Sequence, residues 1–292
     1  MAKARKIVKR RKAVRNIRKI TQTMQLIATA RFQKCLQRAL ATKPYTAKIT
    51  EMLQTLAQRA AAEHPLLRPH AGVSRSILLA ITSSRGLCGA YNTSVLRVAV
   101  EQRKRLSAAG LTPDIEMVGK KGVHYFRFLG YPLAATITDV EDRIAFGRVS
   151  EMAERYIRLY SAGQIARVDV AFMRFHSVGS QRPTVLQLLP IEPPQAEVTE
   201  PRKKGPRAEF EFSPPPEVLL ARLIPESVKI QLFQCFNDAI VSEQVARMVA
   251  MKAATDAAGD MIKFLTRQYN RARQAQITLE LADIVGGAEA VR

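Results

Sequence analysis

The stretch VSEQVARMVAMKAATDAAGDMIKFLTRQYNRA, residues 241–272, places Val241, Val245, Met248, Met251, Thr255, Ala258, Ile262, Leu265, Tyr269 and Ala272 at steps of three or four. Such spacing puts all ten on one stripe of an α-helix, and it persists for more than four heptads with too few leucines for a uniform zipper. The run from Glu226 to Val285 contains no proline. At 1.5 Å per residue it makes a rod of roughly 90 Å, longer than a small domain is wide. Ala250, Ala253, Ala254, Ala257 and Ala258 either let a second helix approach closely or simply favour helix.

A matching stripe lies at the other end of the chain, where Val14, Ile17, Ile20, Met24 and Ile27 recur at helical spacing. Neither narrow stripe can bury itself, so the two ends are expected to pair as an antiparallel coiled coil. Its seam is expected to hold Ile17, Ile20 and Met24 from the first helix and Ile262, Leu265 and Tyr269 from the second. Proline and glycine set the boundaries, because both are costly inside helices. Of 15 prolines, 14 lie between Pro65 and Pro225, and no glycine precedes Gly72. The expected organisation is therefore a helix over 1–64, a central domain over 65–216 and a helix over 217–292.

The middle alternates short apolar runs with helical patterns. Strands are expected at 77–82, 115–119, 134–138, 168–175 and 185–189, and helices at 93–109, 122–129 and 149–161. That alternation predicts an α/β domain with a layered, Rossmann-like sheet. Eight prolines between Pro190 and Pro216 mark an extended connection there.

The sequence offers little for catalysis. Gly86-Leu87-Cys88-Gly89 sits where phosphate loops sit, after a strand and before a helix, but it lacks the third glycine of a dinucleotide fingerprint and the Gly-Lys-Ser/Thr ending of a phosphate loop. Gly119-Lys120-Lys121-Gly122 reads as a turn with solvated lysines. His64, His70, His124 and His176 have no metal-ligand spacing, and Asp139, Glu141 and Asp142 beside Arg143 read as a solvated or capping cluster. Cys88 reads as a small buried hydrophobe, and three cysteines far apart in sequence argue against a disulfide framework and for a reducing compartment. No catalytic residue, metal, cofactor or small-molecule substrate is expected.

The charge needs an explanation. The chain of 292 residues carries 46 Lys+Arg against 25 Asp+Glu, a net charge of +21, and its first fifty residues hold 15 cations and no acid. With 47% hydrophobic residues it is too apolar to be disordered by charge alone. Residues 5–19 resemble a basic nucleic-acid-binding helix, although no leucine heptads follow and stacking aromatics are scarce. A membrane-surface helix leaves the matching stripe at the far end unexplained. The remaining reading is a basic rod lying against an acidic protein partner. No serine occurs in the first fifty residues, and the apolar pattern runs on through Leu53 and Leu56, so no cleavable leader is expected.

Specific residues then carry a resemblance. Ser242-Glu243-Gln244, Ala246–Asp256, Tyr269–Gln274, Ile277–Glu280, Asp283–Val285 and Gly287-Ala288 resemble the gamma subunit of the rotary, proton-translocating (F-type) ATP synthase of bacteria. So do Arg18–Thr21 with Met24, Ser84–Gly89 with Asn92, and Gln187–Pro190. The resemblance implies a central rotor stalk, peripheral to the cytoplasmic face of the inner membrane. It would couple proton flow through the membrane rotor ring to ATP synthesis in the head while performing no chemistry itself. Implied partners are the alpha and beta subunits of the catalytic head, the epsilon subunit and the ring, with no nucleic acid. Arg247, Arg273, Gln274, Thr278 and Glu280 are implied contacts to the catalytic subunits. Ser84, Gln25 and Phe32 depart from the family's usual Asp, Glu and Met, and the cysteine-bearing insertion of chloroplast versions is absent.

Overall fold

A computed structural model of the chain describes residues 2–59, 65–70, 72–191 and 216–290. In chain order its elements are α1 (Ala2–Arg59), β1 (Arg75–Ile81), α2 (Tyr91–Ala108), β2 (Thr112–Val118), α3 (Lys120–Phe128), β3 (Ala135–Ile137), α4 (Phe146–Ser161), β4 (Arg167–Ser177), β5 (Ser180–Leu189) and α5 (Pro216–Ala290). All five expected strands and all five helices form. Most of the extended connection expected over 190–216 lies outside the described residues.

The strands form one sheet in the order β3-β2-β1-β4-β5. The first four are parallel and β5 is antiparallel to β4. Parallel neighbours require crossovers, and α2, α3 and α4 supply them. β5 begins five residues before the expected 185, because its polar half pairs along the edge with Met173 opposite Pro183 and Arg174 opposite Arg182. Proline is tolerated there, since an edge strand leaves one side of its backbone unpaired.

Side chains alternate across the sheet. Leu78, Ala80, Ile115 and Met117 pack with Leu96, Ala99 and Phe126 from α2 and α3. On the opposite face Ile77, Leu79, Val168 and Val170 pack with Val149, Met152 and Tyr156 of α4, with Phe32 and Cys35 of α1, and with Val228, Leu232 and Phe236 of α5. The chain accordingly divides into two compact units, residues 31–246 and residues 1–30 with 247–292.

Within the second of these units the two arms run antiparallel. The Arg11 guanidinium lies 5.2 Å from the centre of the Tyr269 ring, and ten residues further along α1 the hydroxyls of Thr21 and Thr255 meet at 2.8 Å. The buried seam residues are Thr21, Ala28, Met251, Thr255, Ala258 and Leu265, flanked by half-buried Val14, Met24, Ile262 and Tyr269.

Ile17 and Ile20 do not enter the seam as expected: they are 52% and 59% exposed. The partner helix sits instead over the line Ile7, Val14, Thr21, Ala28, where small side chains at the last two positions permit close approach. α1 is thereby rotated so that Ile17 and Ile20 lie outside the contact. Of the two places expected for Met24 on the second helix, near Arg247 or near Arg273 and Gln274, its level at about residue 252 lies about five residues from Arg247 and about 20 residues, roughly 30 Å along the helix, from the other pair.

Thr255 Oγ1 also lies 2.8 Å from the Met251 carbonyl, and Thr21 Oγ1 donates to the Arg18 carbonyl at 3.0 Å. Thr255→Val keeps the shape and removes a buried hydroxyl pair, so it is expected to cost about 1 kcal/mol. Thermal unfolding followed at 222 nm measures this; no loss would mean that the seam is held by shape alone.

Candidate functional site

Two places invite a functional reading, the loop region at the carboxyl end of the sheet and the polar end of the helical arms. At the first, β1 leads into Thr82 and Ser83 and the chain turns through Leu87 and Gly89, both at positive φ (64° and 57°). Asn92, in the first turn of α2, holds this loop. Its Oδ1 accepts from the Ser83 N–H at 3.0 Å, and its Nδ2 donates to Ser83 Oγ at 2.8 Å and to Cys88 Sγ at 3.2 Å. Cys88 is buried among Tyr91, Val95 and Met173.

The start of α3 faces this loop, and its backbone donors are taken by protein groups. The Gly122 N–H donates to Thr82 Oγ1 at 3.0 Å and the Lys121 N–H to the Ser83 carbonyl at 3.1 Å. A phosphate would need those donors free. The loop is therefore a structural joint between β1, α2 and α3.

Two carboxylates within the sheet that the sequence reading did not single out are also structural. Glu116 on β2 is 3% exposed and accepts from Tyr156 Oη at 2.7 Å and Arg155 Nη2 at 2.5 Å. Burial, and then the Glu116 charge, pushes the Tyr156 hydroxyl well above its ordinary pKa, so it remains a donor. Asp169 on β4 accepts from Gln102 Nε2 at 2.9 Å and Arg167 Nε at 2.8 Å. Their sequence signal was an acid inside an otherwise apolar strand run, which is costly unless paired.

Asp139 pairs with Arg148, Glu141 with Arg85 and Asp142 with Arg31. Burial raises the Cys35 thiol, with the Asp142 charge adding to it, and burial with Asp238 raises Cys235. These thiols are protonated at neutral pH. Among the described residues no group of three His, Cys, Asp or Glu side chains could hold a metal ion.

At the second place, Arg273, Gln274, Thr278 and Glu280 are all exposed on the last turns of α5. Thr278 Oγ1 donates to the Gln274 carbonyl at 3.0 Å, and Gln276 Nε2 donates to Glu280 at 3.0 Å. Arg273 and Glu280 line one groove of about 580 Å³ with Tyr269 and with Arg5, Lys9 and Lys12 of α1. Arg247 is not brought to them. It is 7% exposed and 26 residues earlier, about 40 Å along the helix.

One unit built on a mixed α/β sheet, and another in which two long helical arms pair and present a basic polar groove, define a chain built for contact. The sequence matches the ATP synthase family over residues 3–291. The ATP synthase gamma chain of Rhodopirellula baltica is 44% identical, with 100% of this chain and 99% of that protein covered. The gamma chain of Desulfitobacterium hafniense is 39% identical with both chains fully covered.

Among solved structures, a chain of the Euglena gracilis mitochondrial ATP synthase rotor superposes with a TM-score of 0.64, covering 94% of this chain and 99% of its own. At 17% identity that likeness shows the fold. The chain belongs to the ATP synthase gamma-chain family. Nothing in these comparisons supports the nucleic-acid-binding reading. No helix among the described residues is long and apolar enough to cross a membrane.

Proposed function

We propose that this chain turns inside a head of alpha and beta subunits, driven by a membrane ring through which protons pass, and that it does no bond chemistry itself. The observation that carries this reading is the full-length identity to gamma chains. The epsilon subunit and the ring are its partners beside the α/β unit, and its place is peripheral, on the cytoplasmic face of the bacterial inner membrane. A rotor acts by making different contacts with each of three catalytic sites, and those differences bias which conformation each site adopts.

The exposed row Arg273, Gln274, Thr278 and Glu280 is the contact to the catalytic subunits. Register places Ala2 level with about residue 278, and Glu280 is the last α5 residue that lines the groove with α1. Beyond it Leu281, Ile284 and Val285 are exposed, which suits a slim apolar tip turning in a sleeve.

The test is reconstitution of the chain with alpha, beta and epsilon subunits on ring-bearing membrane vesicles. ATP-driven proton uptake should require the chain, and uptake without it would refute the rotor reading. In the same assay Met24→Lys adds a cation to an arm that already carries Arg18 and Lys19. It is expected to leave assembly and hydrolysis in place and to lower uptake several-fold, because like charges repel more strongly near a partly desolvated seam. Uptake equal to wild type would show that Met24 faces only water.

A further inference from the structure

Both long helices pass from the α/β unit into the paired arms, α1 between Ala30 and Arg31 and α5 between Ala246 and Arg247. One loop residue of the α/β unit holds both helices at that level. Asp142, in the connection between β3 and α4, accepts from Arg31 Nη1 of α1 at 2.5 Å through one carboxylate oxygen. Through the other it accepts from Gln244 Nε2 of α5 at 2.8 Å. Its backbone carbonyl accepts from Cys35 Sγ, one turn along α1, at 3.5 Å.

The groups on either side differ in a useful way. Gln244 is 1% exposed, so its amide is fixed by its surroundings. The Arg31 and Asp142 side chains are 37% and 31% exposed, so the ion pair forms at the rim. The carboxylate therefore spans two helices whose contacting residues are 213 positions apart in sequence, at the last turn before each leaves the unit.

We propose that Asp142 is a positioning residue of the rotor, a clasp that prevents α1 and α5 from slipping past one another where torque passes from the α/β unit into the arms. The inference rests on the rotor reading above. Helices held only by apolar packing can slide or roll by small steps, since such contacts are non-directional. A carboxylate bonded to one helix through each oxygen fixes both the level and the rotation of each. Without the clasp, strain applied to the arms is released as relative movement of the helices, and less of it reaches the ring.

The reconstituted vesicles test this. Asp142→Ala should hydrolyse ATP at the wild-type rate and have an unchanged far-ultraviolet spectrum, yet pump about fivefold fewer protons per ATP, the factor typical of losing one partly exposed charge-assisted contact. The exchange Arg31→Asp with Asp142→Arg restores an ion pair, and the Gln244 amide can turn over to accept from the new guanidinium, so pumping per ATP should recover. Arg31→Met leaves the loop untouched and should give a smaller deficit of the same kind.

Normal pumping per ATP in Asp142→Ala overturns the clasp, as does a deficit that the exchange fails to repair, which would mark a local packing role. Should Asp142→Ala unfold, Arg31→Met with wild-type pumping overturns it equally. Failure of the wild-type chain to support any pumping overturns the rotor reading and this inference with it.

Discussion

Replacing Arg273 and Gln274 together by alanine lowers steady-state ATP hydrolysis by the reconstituted head roughly ten- to hundredfold while leaving the helical circular dichroism of the chain unchanged. The second half follows from exposure, since neither side chain is buried and alanine favours helix. The first half follows from charge. Arg273 stands in a groove with Arg5, Lys9 and Lys12, and among the described residues the only carboxylate lining that groove is Glu280. A partner's acid or carbonyl entering it would make a charge-assisted bond of about 1.5–3 kcal/mol. A contact made with one catalytic site at a time shifts that site's conformational balance by the corresponding factor. Hydrolysis at the wild-type rate, measured at saturating chain, would remove the proposed contact through Arg273 and Gln274 and leave the apolar tip as the working one.

The second large effect is expected at Gly119, which begins α3 at φ 90°. A Cβ there would stand 2.7 Å from the Thr82 carbonyl carbon and 2.8 Å from that of Ser83, atoms of the main chain that cannot turn aside. Gly119→Ala must therefore open the joint between β1 and α3, in addition to bearing the strain of a left-handed residue. The expected loss is about 3–5 kcal/mol, a large share of a domain's stability. Gly130→Ala supplies the control, because Gly130 has φ 74° and nothing within 4 Å of the added carbon, so it should cost about 1 kcal/mol. Equal urea midpoints for the two variants would refute the close approach.

The sequence carried the element order because apolar periodicity is a local property, and α1, α5, β1, β2 and β4 each bury a face. It could not carry the rotation of α1. Ile17 and Ile20 are larger and more apolar than Thr21, yet Thr21 lies in the seam because two backbones approach more closely over a small side chain. The first half of β5 was silent, since an edge strand need not alternate. Pro183 suggests a break unless the absent neighbour on that side is known.

Of the site, the polar row on α5 was legible only through resemblance; by spacing alone it is an ordinary solvated face, and its exposure in the free chain agrees with either description. Asp142 was read as one acid in a solvated cluster, because its partners lie 111 and 102 residues away. No local pattern reports such a distance.

The division of the long helices between the two units bears on how the molecule comes to exist. The arms that pair in the rod are separated by residues 31–246, a closure that costs a free chain considerable entropy before any contact rewards it. Folding of the α/β unit meets that cost on its own account, because its core already contains Phe32 and Cys35 from one helix and Phe236 and Ile240 from the other. Once that core has formed, the bases of both arms stand together, and each arm meets its partner as though at high local concentration. Pairing is then expected to proceed turn by turn from the base outward. In kinetic terms the α/β unit is expected to act as the bend of a hairpin, and the paired arms to be the last part of the chain to acquire structure.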